Sequence, residues 1–208
     1  MIALKRPFRQ ATLADAAALA ELANIAGEGL PLYIWENLRG HGETAWEHGR
    51  GRAARETGSF SYRNAVVAEV GGKCAACLIG YPQPDDPEPI DYAAMPPMFL
   101  PLQELENLAP GTWYVNVLAT YPEYRGQGLG TRLLAIAEDI ARQHRKTGLS
   151  IIVSDANHGA RRLYQRCGYL EAGERLKVKN SWENEGRSWV LLTKRVGLKG
   201  ARVTGVAI

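Results

Sequence analysis

The chain is short of most features that would take it out of the ordinary globular class. Three cysteines in 208 residues are an odd and sparse set, which excludes a secreted scaffold stapled by bridges and points to a reducing, cytoplasmic setting. No run approaches the roughly 18 unbroken apolar residues that a membrane helix requires. The first residues reach Lys5, Arg6 and Pro7 before a signal-peptide core can form, so no membrane partner is expected. Net charge is also low: Lys plus Arg is 25 and Asp plus Glu is 22, leaving +3 with no basic stripe, which argues against nucleic acid. His41, His48, His144 and His158 lack the spacing of a zinc site, so no metal is implied. What remains is a chain that is 46% hydrophobic, long enough for one domain with a substantial core.

Along that chain, Phe8 to Thr12 suggests a short strand, and Thr12 with Asp15 starts a helix over about 13–26 through a capping-box pattern. Residues 31–57 mix helical spacing with Gly40, Gly42, Gly49 and Gly51, which predicts one or two short helices broken at glycines. Two apolar runs, 64–70 and 73–81, flank Gly71-Gly72 and predict a hairpin. Cys74 and Cys77, three apart on its second strand, are expected on opposite faces. Seven of the eleven prolines fall between Pro82 and Pro101 among acidic residues. This composition suits neither strand nor helix interior, so 82–110 is expected to be a proline-rich acidic insertion, a lid or disordered, with one helical turn near Leu102 to Leu108. A strand over 113–120, a helix over 129–144, a strand over 149–154, a helix over 157–167 and two strands over 169–179 and 187–195 complete the pattern.

The informative segment is Arg125-Gly126-Gln127-Gly128-Leu129-Gly130, set between a strand and an amphipathic helix. Alternating glycines at a helix start let backbone N–H groups approach an anion where unpaired donors and the dipole favour phosphate. The segment is not a P-loop, since Thr131-Arg132 follows in place of Lys-Ser or Lys-Thr. Its glycine spacing also differs from the dinucleotide fingerprint. It resembles instead the acyl-coenzyme A signature of the GNAT superfamily of N-acetyltransferases: Gln or Arg, two residues, Gly, one residue, Gly or Ala. Arg125, Gly128 and Gly130 supply it. Downstream, Asn157, Ala160, Leu163, Tyr164, Gly168 and Tyr169 match the second half-motif of that family.

The resemblance implies a single α/β domain over 1–208. Its mixed, mostly antiparallel sheet would have about seven strands, helices on both faces and a splay between the fourth and fifth strands, with 197–208 as a C-terminal tail. It implies acetyl-CoA as donor, without a metal. Main-chain groups of Leu118, Ala119 and Thr120 would pair with the pantetheine arm. Arg125, Gly126, Gln127, Gly128, Leu129, Gly130 and Thr131 would hold the pyrophosphate, and Asn157 the arm. Tyr164 would protonate the departing thiolate, since a phenol with pKa near 10 still carries its proton at neutral pH. An ammonium acceptor must lose a proton before it attacks. The positions where some relatives carry Glu are here Asn116 and Ile152, neither of which accepts a proton. Glu28, Glu36 and Asp91 are left as candidates for the base, or the amine loses its proton to water.

Each signal also has a structural reading. Tyr33, Trp35 and Trp46 fit a core as well as an acceptor pocket, and Arg142, His144, Arg145 and Lys146 fit a solvated helix end. The expected function is acetyl transfer to a small primary amine by direct attack. A peptide or protein N-terminus is the alternative within the enzyme class, and a non-catalytic acyl-CoA sensor is the alternative outside it. The reading is compatible with a homodimer and fixes no oligomeric state.

Overall fold

The computed structural model describes residues 2–197, so the expected tail lies, past its first residue, outside the described residues. Seven strands form one sheet in the order β1-β2-β3-β4-β5-β7-β6: β1 (Phe8–Gln10), β2 (Ala65–Val70), β3 (Lys73–Pro82), β4 (Thr112–Thr120), β5 (Gly148–Ser154), β6 (Leu170–Leu176) and β7 (Ser188–Arg195). All neighbours are antiparallel except β4 and β5. The β2–β3 hairpin turns on Gly71 and Gly72, both left-handed, at φ 58° and 76°. A two-residue turn of that hand is what right-twisted strands accept. Parallel neighbours need a crossover, and α5 (Leu129–Gln143) supplies it. Its buried stripe includes Leu133 and Leu134, each worth about 1.5–3 kcal/mol of burial.

The expected splay is present. β4 and β5 pair only where Thr112–Val115 meets Gly148–Ile151, although β4 runs on to Thr120 and β5 to Ser154. A bulge marks the divergence: β3 pairs Ile79 with Val117 and Gly80 with Val115, leaving Asn116 extra and increasing the local twist. Beyond it, the β4 edge that faces β5 has no strand partner.

Helices cover both faces. On one, α5 and α6 (His158–Arg166) close a core that includes Val115, Leu133, Ile151, Tyr164 and Leu192. On the other, α1 (Ala16–Ala26), α2 (Leu30–Leu38) and α3 (Ala45–Ala53) cover β2 to β4 through Leu19, Leu22, Trp35 and Ile79. The β5–β7 half of that face is covered by α4 (Leu100–Glu106), whose Leu105 packs with Met98, Trp182, Trp189 and Leu191. Among the described residues no helix is long and apolar enough to cross a membrane.

Three details differ from the sequence reading. Gly49 and Gly51 do not break a helix but lie inside α3, where the Trp35 ring occupies the space a Cβ at Gly49 would need. Cys74 and Cys77 pack toward the same core, because a register shift opposite Ala68 and Glu69 inserts one residue between them and resets the alternation. Residues 82–110 are a buttress rather than a lid. The segment is tied at its root by Lys146, whose Nζ donates to the Gln83 carbonyl at 2.8 Å and to Asp85 at 2.6 Å, and α4 adds Leu105 to the core.

Candidate active site

The splay opens a cleft of about 780 Å³ between the free end of β4, the start of α5 and the start of α6. Its walls bring together Leu118, Ala119, Thr120, Arg125, Gly126, Gly128, Leu129, Gly130, Thr131, Asn157 and Tyr164. Of the twelve residues singled out from the sequence, Gln127 alone is outside that lining.

The glycine turn is shaped by conformation. Gly126 and Gly128 sit at φ 77° and 74°, a region that side chains resist, and a Cβ at either would meet nothing within 4 Å. The turn is therefore bare and open, and it delivers the unpaired amides of the first turn of α5 to the cleft. Gly130 serves a different purpose: a Cβ there would come 3.1 Å from Leu163, so it sets how closely α5 approaches α6. Arg125 donates from Nε to the Thr120 carbonyl at 3.3 Å, which joins the turn to the end of β4. With His158 and Arg166 also on the wall, this end of the cleft is basic. A bare cradle of amides beside an open strand edge fits an elongated ligand with an anionic part.

Asn157 is the N-cap of α6, its Oδ1 accepting from the Ala160 amide at 3.1 Å. Among the described residues its Nδ2 has no protein partner. Tyr164, two helical turns past that cap, is 4% exposed and packs on Tyr169 with ring centroids 5.9 Å apart. Burial, with a smaller contribution from Cys167, holds its phenol above the usual value of 10, so at neutral pH it is a proton donor only. Its hydroxyl has no protein partner among the described residues. Cys167 caps α6 and packs against the core. Burial pushes the Cys74 thiol up to about 11 and that of Cys77 well above its usual value, which leaves both inert.

The three candidate bases separate. Glu28 lines the cleft. Glu36, on α2, pairs with Arg39 just past the helix end and lines a second open cavity with Tyr33 and Trp46. Asp91 is exposed and accepts from the Ala93 and Ala94 amides at 3.0 Å in a turn of the buttress. Trp35 is core, stacked on Phe60. The basic run at the end of α5 is partly structural, since Lys146 anchors the buttress.

Around Glu28 lies a group the sequence reading missed. The loop after β6 carries Lys177, whose side chain is fully buried, together with Trp182 and Asn184. Lys177 Nζ donates to Ser154 Oγ at 2.7 Å and to Asn184 Oδ1 at 3.0 Å. It lies 4.2 Å above the Trp189 ring. Burial lowers its pKa, against the opposing pull of Glu28 and Asp155. No local motif marks this cluster, because its members are drawn from the α1–α2 turn, the end of β5 and the β6–β7 loop.

Solved structures share this architecture. A crystal structure of an acetyltransferase aligns with a TM-score of 0.63 at 20% identity, covering 91% of this chain and 99% of its own. An N-acetyltransferase from Staphylococcus aureus Mu50 aligns with a TM-score of 0.59 at 19% identity, covering 90% and 99%. A Bacillus subtilis (strain 168) protein, provisionally named as a ribosomal protein bS18-alanine N-acetyltransferase, is 33% identical over 78 residues, 38% of this chain. The match spans half of that relative's length. The family model described as the acetyltransferase (GNAT) family matches residues 32–169, two thirds of the chain and the whole of the cleft's glycine turn and Tyr164 helix: the chain belongs to the acetyltransferase (GNAT) family.

Proposed function

We propose that the protein transfers an acetyl group from acetyl-CoA to the primary amine of a small molecule. The observation that carries this is the single cleft in which a bare glycine turn, an unpaired strand edge and a buried phenol meet. Gly126 to Thr131 hold the pyrophosphate through backbone amides, and the free edge of Leu118 to Thr120 holds the pantetheine arm. Acetyl-CoA, when bound, supplies an activated thioester. Tyr164 gives its phenolic proton to the departing sulfur. The ring is fixed by core packing, so the donor's position requires no reorganisation when the proton moves.

The wall of the cleft at Glu28 is braced from outside the lining. There the β6–β7 loop is stitched to the α1–α2 region: Ser181 Oγ donates to Tyr33 Oη at 3.1 Å, Trp182 Nε1 to the Glu28 carbonyl at 3.3 Å, and Asn184 to the Glu28 carboxylate. A cleft wall braced in this way at Glu28 suits a small amine better than an extended chain. The second reading, a protein N-terminus, draws on the Bacillus subtilis relative and on the buttress, none of whose residues lines the cleft.

Calorimetric titration with acetyl-CoA, NADH and ATP tests the donor. Micromolar binding of acetyl-CoA alone is expected, and its absence sinks the transferase reading. Thiol release measured against small amines and against peptides with free N-termini then separates the two acceptors.

A further inference from the structure

The turn between α1 and α2 is Gly27-Glu28-Gly29, and its middle residue is left-handed at φ 53°. Glycine or asparagine adopts that conformation with little strain, whereas glutamate is uncommon there. Such outliers persist where the surrounding structure over-determines them. Here the carbonyl of Glu28 accepts from Trp182, one carboxylate oxygen, Oε2, accepts from Asn184 Nδ2, and Oε2 also lies 3.9 Å from Lys177 Nζ. The other oxygen, Oε1, has no partner among the described residues, and the residue lines the same cleft as Tyr164.

Burying the Lys177 ammonium is costly unless it is paired. It is satisfied by Ser154, Asn184 and the Trp189 face, and Gly186 is bare because Ser154 Oγ and Lys177 Nζ occupy the space of its Cβ. The cation that joins the β6–β7 loop to β5 also lies 3.9 Å from the Glu28 carboxylate. Asp155 and Lys179 stand near Lys177, and Arg125, His158 and Arg166 line the other walls, so Glu28 is the carboxylate on the cleft lining.

Building on acetyl transfer to an amine as the reading above, we propose that Glu28 receives the ammonium of the acceptor and takes a proton from it, with Asn184 and Lys177 as positioning residues. One N–H bond of the ammonium breaks and one O–H bond forms at Glu28. The nitrogen keeps the electron pair and becomes the free amine, and the proton passes on to water in the cleft. An alkylammonium of pKa roughly 10 requires this step at neutral pH.

The test uses the full chain labelled with carbon-13 at its glutamate carboxyls, the Glu28 signal being the one lost in Glu28→Gln. Titration with n-butylammonium is expected to move that signal, while n-butanol does not. A Glu28 signal unmoved by n-butylammonium overturns the proposal. With any amine that the wild type acetylates, Glu28→Gln is expected to lower kcat/KM about 100-fold and to leave acetyl-CoA affinity within about threefold; unchanged turnover also overturns it. Glu28→Asp, which keeps the charge but shortens the reach, serves if the glutamine variant does not fold, with a kcat/KM loss of about tenfold expected and none overturning. Asn184→Ala is expected to shift the Glu28 signal without ligand and to raise KM for the amine about fivefold with kcat little changed; an unshifted signal removes the positioning role. Failure of acetyl-CoA to bind the wild type would instead count against the transferase reading, which the n-butylammonium titration does not depend on.

Discussion

The two ends of the cleft are built by different means. The end proposed for the donor is made of backbone: a glycine turn, the first turn of α5 and the free edge of β4, contributed by residues 118–131. The other is Glu28, which lines the cleft and is tied to side chains off the lining, Ser154, Lys177, Asn184 and Trp189, so that four separate stretches of chain meet there. A backbone site needs particular conformations, which glycines at fixed offsets announce. A side-chain site needs particular neighbours, and any strand order that brings the right groups together will serve.

The sharpest way to break this contrast is Gly128→Val. The residue is left-handed at φ 74° with open space around it, so valine brings about 1–2 kcal/mol of backbone strain and covers the amides. Loss of two charge-assisted contacts, about 1.5–3 kcal/mol each, should weaken acetyl-CoA at least 100-fold by calorimetry. Retained affinity would mean that the turn is only a turn.

Tyr164→Phe should act on the chemistry and spare the donor. The ring remains packed on Tyr169, so turnover is expected to fall about 100-fold with acetyl-CoA affinity within about threefold. A kinetic assay that finds turnover unchanged removes the acid role.

The same burial has a pH signature. The phenols of Tyr164 and Tyr169 are held, chiefly by desolvation, above the ordinary value of 10. The unfolded chain therefore releases these protons first as the pH rises. Their contribution to stability is complete below about pH 10 and is lost as the pH climbs through their folded values. Denaturant midpoints are expected to be flat from about pH 8 to 9.5 and to fall steeply beyond about 10.5. A decline that sets in well below pH 10 would place its origin in other groups.

The smallest effect should come from Gly130→Ala. Its Cβ would press on the tip of Leu163 at 3.1 Å, a flexible contact that yields by a few tenths of an ångström. Alanine is also a better helix former than glycine by roughly 0.5–1 kcal/mol, so stability should change by less than about 1 kcal/mol and acetyl-CoA affinity by less than about threefold. A large loss would show that all three glycines act through backbone approach rather than through two separate causes.

The hairpin, the β4–α5–β5 crossover and the glycine turn were legible because each is local: Gly71-Gly72, the apolar stripe of α5 and Arg125 to Gly130 state their own conformation within a few residues. Recognition of the second half-motif, Asn157 to Tyr169, gave the relation between α6 and that turn. The misread features are those where a distant residue intervened. Gly49 looked like a helix breaker because nothing nearby announces Trp35. Cys74 and Cys77 share a face because of an irregular pairing with β2. The prolines of 82–110 suit a lid by composition, and it is the distant contacts of Leu105 with Leu191 and of Lys146 with Asp85 that hold the segment down.

Sequence alone determined the order and type of the elements and the position of the glycine turns, since these depend on backbone preference and hydrophobic period. Glu28 was visible as a carboxylate, with nothing to set it above Glu36 or Asp91. Only the tertiary structure separated their surroundings. It put Glu28 on the cleft wall, paired Glu36 with Arg39, left Asp91 in an exposed turn, and buried Lys177 where it holds a carboxylate contributed by a turn 149 residues earlier in the chain. A buried charge chooses its partner by proximity in a medium that screens poorly, and proximity across the sheet is set by packing, which no local pattern of residues encodes.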